Sequence, residues 1–428
     1  MEPPERITTS ISQPEPPIVS MEAMPGLPIS FPVIVLLVSF FISIVGIGFV
    51  VPFLPIYATE LGATGFALGF IMAAFSLSSG ITQPLAGYFS DRLGRKFFLA
   101  AGLAVYSVGG FLYVLGSSVT DIVLVRFLQG VGGGFVFSVS LAYMADLAPK
   151  GYEGRYMGLY NVTLFSGFGL GPLLGGALKD TFGINMAFYG MCASSAMACI
   201  LILLFLPDNR PQYTQSDDQR FFTVFRAIIS EKRTCGVMLI RLGVMLSMIP
   251  SFIFLPVLLA QSMGASGVQI GLVITVRTVV SAIFQYPFGW VADHYSRVAI
   301  TIVSVIGMAS VVSLMGIASQ YWHMLLLSGL LGINEALFMP ANTAMMMDGG
   351  RSHGMGATMG LLNTSMQLGV FIGSLGAGML VDSIGFRGAF ISVGVIVTLM
   401  MGVSLPMLNA PLQNANARLN NPRIQEGR

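Results

Sequence analysis

Among the charged residues that fall inside, or at the rim of, long apolar stretches are Arg126, Arg241, Arg277 and Glu335 within them, and Asp121 at an edge. Guanidinium and carboxyl groups in such surroundings can pair, exchange a proton or select a ligand by charge. Glu335 is the leading proton carrier, because it is the one carboxyl lying deep inside such a stretch. At about 1.5 Å of rise per residue, Glu335 lies roughly 20 Å from one end of its stretch and Arg277 roughly 15 Å, so depth allows the two to pair. Arg126 is shallower, roughly 7 to 8 Å from the same side. Gln129, Asn334 and Gln367 are further polar groups, each as well suited to holding helices together as to lining a cavity.

Bond-making chemistry has no support. Gly167-Phe-Gly169-Leu-Gly171 lacks the strand and the spacing of a dinucleotide loop. His294, His323 and His353 are scattered, and neither a zinc-protease motif nor a nucleophile elbow occurs. Cys192, Cys199 and Cys235 have no metal or disulfide spacing and read as packing residues. The sequence therefore predicts no enzyme, no cofactor, no metal and no nucleic-acid partner.

The elements that must position these residues are set by composition. Of 428 residues, 54% are hydrophobic and 9% charged, with 51 glycines, and the mean hydropathy is +0.80. Such a chain has lipid, not water, as its main solvent. Twelve apolar stretches are long enough to cross a bilayer as helices: 31–56, 65–86, 98–117, 121–143, 157–178, 185–206, 236–260, 267–290, 298–318, 322–346, 356–378 and 386–408. Most are apolar all round, which excludes a soluble helical protein, and none shows the alternation of a membrane barrel. The Pro- and Glu-rich residues 1–30 read as a disordered tail and 409–428 as a second tail.

Charge sets the orientation. Gly87-Tyr-Phe-Ser-Asp91-Arg92-Leu-Gly94-Arg95-Lys96 joins spans two and three, and burying its four charges in lipid would cost on the order of 10 kcal/mol. The other even-numbered connections are also basic, so one side, with the tails, gathers 16 of the 21 Lys and Arg. The positive-inside rule predicts that this side and both termini are cytoplasmic, in the plasma membrane.

A shift of 202 residues pairs Gly87, Asp91 and Arg95 with Gly289, Asp293 and Arg297, Asp146 with Asp348, Asp180 with Asp382, and Gly65 and Gly69 with Gly267 and Gly271. About eleven glycines fall on glycines where composition predicts roughly three. The chain is thus an all-α membrane protein of two pseudo-symmetric six-helix bundles, 31–206 and 236–408, joined by a polar linker, 207–235. The interface between such halves is the usual place for a substrate site.

These features resemble the major facilitator superfamily over residues 31–408. Besides the loop motif, Arg126-Phe-Leu-Gln-Gly130 resembles that family's span-four motif. Gly167-Phe-Gly-Leu-Gly171-Pro172-Leu-Leu-Gly175-Gly176 resembles the span-five motif of its twelve-span drug:proton antiporter branch. Glycines four apart allow close helix approach, and Pro172 permits a bend.

The resemblance implies a conformational latch of Gly87, Asp91, Arg92, Gly94, Arg95 and Lys96 with Asp146 as partner of Arg95, and a second-half counterpart of Gly289, Asp293, Arg297 and Asp348. In that latch Gly87 is expected to lie against a neighbour and Asp91 at a helix N-terminus. It further implies a cavity lined from spans one, four, seven and ten, with Arg126, Gln129, Arg241, Arg277, Asn334, Glu335 and Gln367 as its polar groups.

The activity implied is secondary active transport by alternating access, with proton-coupled export of a small organic molecule by a monomer. Proton-coupled uptake, facilitated diffusion and a non-transporting sensor of the same fold are the alternatives. Span one carries no acidic residue, unlike the pattern expected of cation exporters, so the interior favours neutral or anionic substrates.

Overall fold

The computed structural model describes residues 29–149, 152–208, 231–353 and 355–408, with side chains omitted at 153, 154 and 348–362. The expected tails, 1–30 and 409–428, and the 207–235 linker lie wholly or mostly outside the described residues.

Every described element is helical. Span one is Phe31–Val50 continued by Leu54–Glu60, followed by Gly65–Leu93, Arg95–Leu115, Val119–Leu147, Glu153–Phe182 and Ile184–Phe205 as spans two to six. Span seven runs from Lys232 to Ile249, through a π-helical turn at Pro250–Phe254, to Leu255–Met263. Gly267–His294, Arg297–Ile317 and Tyr321–His353 are spans eight to ten. The final helical run, Met355–Leu408, is interrupted by Gly385 at φ 74°, a left-handed conformation that separates span eleven from span twelve.

The expected count of twelve holds, but several helices outrun their apolar stretches: span seven starts at Lys232 rather than 236, and span ten reaches His353 rather than 346. A 29-residue helix such as span four is about 43 Å long, against roughly 30 Å of hydrocarbon. Polar ends in water are invisible to a hydropathy count.

The helix starts follow local chemistry. Thr64 accepts from the Ala67 amide at 3.2 Å, and Ser266, 202 residues on, accepts from the Gln269 amide at 3.3 Å. Ser118 and Asp121 form a capping box that opens span four. The irregular turn of span seven and the break of span one at 51–53 occupy corresponding places in the two repeats. Within each half the helices pack through small residues: Gly171 of span five lies so close to span one that an added Cβ would meet the Gly48 Cα at 2.7 Å. Between the halves, the contacts run chiefly from span two to span eleven and from span five to span eight.

Candidate functional site

On the side opposite the basic loops, two carboxylates cross from one half to the other. The Gly267 and Val268 amides donate to Asp180 Oδ1 and Oδ2 at 2.7 and 2.9 Å. The Gly65 and Phe66 amides donate to Asp382 Oδ1 and Oδ2 at 2.6 and 2.8 Å. Each carboxylate thus satisfies the first two free amides of a helix in the other half, where the helix dipole also favours an anion, while the helix's own Thr64 or Ser266 takes the third. Glycine makes this approach possible, since a Cβ at Gly176 would meet the Val268 amide at 2.8 Å and one at Gly378 the Gly65 carbonyl at 2.5 Å.

The halves part toward the basic side. Along span two, a Cβ at Gly69 would strike the Ser374 carbonyl carbon at 2.9 Å, one at Gly80 would touch Gln367 at 3.5 Å, and one at Gly87 would meet nothing within 4 Å. Along span five, Gly176 is blocked, Gly169 would touch Val279 at 3.5 Å, and Gly158 meets nothing. Among the described residues, the tight glycine contacts between the halves gather at the far end, at Gly69, Gly176 and Gly378, and loosen through Gly80 and Gly169 toward the basic side, which reads as a wedge that narrows at the far end. Gly87 and Gly289 do not lie against neighbours as expected: a Cβ at either would meet no described atom within 4 Å.

The basic-side cluster is built within one half. Arg95 is buried, and its Nε and Nη2 donate to Asp146, the latter at 3.2 Å; Nη2 also lies 3.0 Å from Asp91 Oδ1. Gly94, at φ 100°, turns the chain between the two helices, and Arg92 stacks on Tyr88 with 4.1 Å from Cζ to the ring centre. Asp91 lies in the last turn of span two, not at a helix N-terminus. The helix dipole disfavours an anion there, and the Arg95 guanidinium offsets this. In the second half, Arg297 Nε donates to the Ala292 carbonyl at 3.3 Å and Asp293 is exposed, while the Asp348 side chain lies outside the described residues.

The interior polar residues do not share one cavity. Arg277 Nε donates to Glu335 Oε1 at 2.7 Å, Nη2 donates to the same oxygen, and Nη1 donates to Ser251 Oγ at 3.0 Å. Phe252 lies 4.3 Å beneath this guanidinium. Spans eight and ten are thereby tied to the π-helical turn of span seven. Gln129 accepts from Tyr113 Oη at 2.8 Å and points its amide at Met191, so it holds spans three, four and six together inside the first half. Asn334 donates to the Leu330 carbonyl of its own helix and packs on Gly307 of span nine. Both were expected in the cavity; helix phase turns them away from it.

Arg126 makes no described hydrogen bond, and its Nε and Nη2 are buried without acceptors near the Phe75 ring. Arg241 Nη1 reaches Met339 Sδ at 3.0 Å and Asn342 Oδ1 at 3.4 Å, and Nη2 reaches Met366 Sδ at 4.0 Å. Gln367 lies at the contact of spans two and eleven. The span-five motif divides its labour. Gly167, Gly171 and Gly175 receive span one, the Pro172 ring lies against Gly48 of span one while its carbonyl faces Gly271 of span eight, and Gly176 receives span eight of the other half. No group of three or more His, Cys, Asp or Glu converges among the described residues.

Sequence reasoning aligned Asp180 with Asp382 but gave neither a role. The signal was present: a carboxylate ending one span, with Gly-initiated helices elsewhere in the same repeat frame. Ser251, Met339 and Met366 left no such signal.

The sequence model of the Major Facilitator Superfamily matches residues 36–250 and again 234–426. An uncharacterized MFS-type transporter of Methanocaldococcus jannaschii is 29% identical over 375 residues, covering 87% of this chain and 96% of that protein. The quinolone resistance protein NorA of Staphylococcus aureus is 29% identical over 352 residues, covering 82% and 90%. Among solved structures, a bacterial homolog of the human lysosomal transporter Spinster, in an inward-facing and unoccupied conformation, aligns with a TM-score of 0.73 at 13% identity, covering 88% of this chain and 97% of that one.

Proposed function

The chain belongs to the major facilitator superfamily, a family of multi-pass membrane transporters of small molecules, and from that membership we propose that it is a proton-coupled exporter working by alternating access. The observation that carries this reading is the wedge between the halves. Its far end is held by the Asp180 and Asp382 caps and its basic end is open. With the basic side assigned to the cytoplasm of the plasma membrane, this is an inward-facing state.

In the outward-facing state the caps release and the basic ends of the halves close, so Gly87 and Gly289 are where the opposing half comes to rest. The Arg95–Asp146–Asp91 cluster acts as the latch by fixing the loop that carries Gly87, without itself bridging the halves in the inward-facing state.

Glu335 is the proposed proton carrier. Ionised, it holds Arg277; protonated, it loses most of that attraction and frees the π-helical turn of span seven, to which Arg277 is tied through Ser251. Export is favoured over uptake by the span-five motif and by the likeness to a quinolone resistance protein.

The test is transport by the purified monomer in proteoliposomes, with norfloxacin as the quinolone probe. Vesicles with an acidic lumen accumulate the probe, and Glu335→Gln vesicles do not. Equal accumulation by both removes Glu335 from the proton path, and no accumulation under any pH gradient removes the exporter reading.

A further inference from the structure

Deep within the apolar stretches lie three guanidiniums, Arg126, Arg241 and Arg277, and one carboxylate, Glu335, which is taken by Arg277. Arg241 is left 6% exposed with no carboxylate partner among the described residues. Its neighbours are two thioether sulfurs, which are weak acceptors, and one uncharged amide oxygen at a long 3.4 Å, and its Nε has no described acceptor. A guanidinium desolvated this far is costly unless an anion completes its shell. The available places are also suited to a ligand, because Met339 and Met366 are unbranched, flexible and only partly buried, so they can swing aside.

Asn342, by contrast, is fixed: it is fully buried and its Nδ2 donates to the Val237 carbonyl at 3.4 Å, tying span ten to span seven beside Arg241. Arg241 sits nine residues beyond Lys232, about 13 Å up span seven from the basic side. Met339, Asn342 and Glu335 lie on one face of span ten, at positions i+4, i+7 and i.

We propose that Arg241 is the recognition point for an organic carboxylate, which enters from the open side, displaces the Met339 and Met366 thioethers and takes the guanidinium as a forked ion pair. This rests on the transport reading and names its substrate class. Arg277 is not part of the site, since Glu335 already occupies it.

Binding to the purified full chain is read by thermal unfolding, at matched ionic strength, with benzoate and 2-naphthoate against the neutral benzamide and 2-naphthamide. The carboxylates raise Tm and the amides do not. Arg241→Gln loses the carboxylate shift. Should Arg241→Gln fail to fold, the Met339→Ala/Met366→Ala double variant carries the test: with the competing sulfurs and their bulk gone, benzoate binds tighter. Equal stabilisation by the amides, a shift that survives Arg241→Gln, unchanged benzoate affinity in the double variant, or no shift with any carboxylate overturns the proposal. A transport failure is distinguishable, because it abolishes flux in proteoliposomes while the carboxylate shift persists.

Discussion

Asp180 caps a helix that is not its own: Oδ1 of this span-five residue accepts the Gly267 amide at 2.7 Å, across the boundary between the two halves. The relation recurs with Asp382 and Gly65, displaced by 202 residues in both members. An exposed carboxylate on two backbone amides is a weak bond by the standard of a buried one, which suits a contact that would open and close under the proposed alternating access.

Asp180→Ala removes two charge-assisted hydrogen bonds from an exposed helix start, together about 1 to 2 kcal/mol. The variant, and Asp382→Ala likewise, shifts the population toward far-side opening. Spin labels at Thr181 and Ser262 report this as a longer distance component, and the double variant adds the two effects. An unchanged distance distribution in all three variants means the caps do not hold the far side closed.

Arg277→Ala leaves the Glu335 carboxylate buried without its partner and costs about 3 to 5 kcal/mol of stability. Arg277→Ala/Glu335→Ala removes both charges and recovers most of that loss. Thermal unfolding of the single and double variants measures the difference, and a double variant as unstable as the single one would point to packing rather than charge.

Gly87→Val has open space around it, so stability changes by no more than about 0.5 kcal/mol. Transport nonetheless falls, because the branched side chain obstructs closure of the basic end. Flux and unfolding measured on one preparation separate the two effects; a variant with normal flux shows that nothing comes to rest on Gly87.

Gly171→Val behaves oppositely. The Gly48 Cα lies 2.7 Å from where the first added carbon must go, so spans one and five are forced apart and the protein loses on the order of 3 kcal/mol or more. The yield of monodisperse protein and its Tm check this directly.

Arg95→Ala strands Asp146 and Asp91 beside each other at the basic side. Like charges left facing one another destabilise the loop between spans two and three, and Arg95→Lys, a point charge without the fork, restores only part of the loss. Proteolysis of that loop in oriented vesicles, faster in Arg95→Ala than in Arg95→Lys, measures the ranking.

The twelve spans, the duplication and the sidedness of charge were all legible in the residues. Each reflects one-dimensional physics: a run of apolar side chains long enough for the bilayer, glycines recurring in one frame, and the cost of putting Arg92, Arg95 and Lys96 into lipid. The Arg95–Asp146 pair was implied by family resemblance and is present.

Only the tertiary structure decided what each polar group faces. Gln129 and Asn334 sit at depths that suit a cavity, yet helix phase turns one toward Tyr113 and the other toward Gly307. Depth can be counted along a sequence, whereas the direction of a side chain depends on which helix packs beside it. For the same reason Asp180 and Gly267 had no visible connection until two halves, 87 positions apart at this point, were brought into contact.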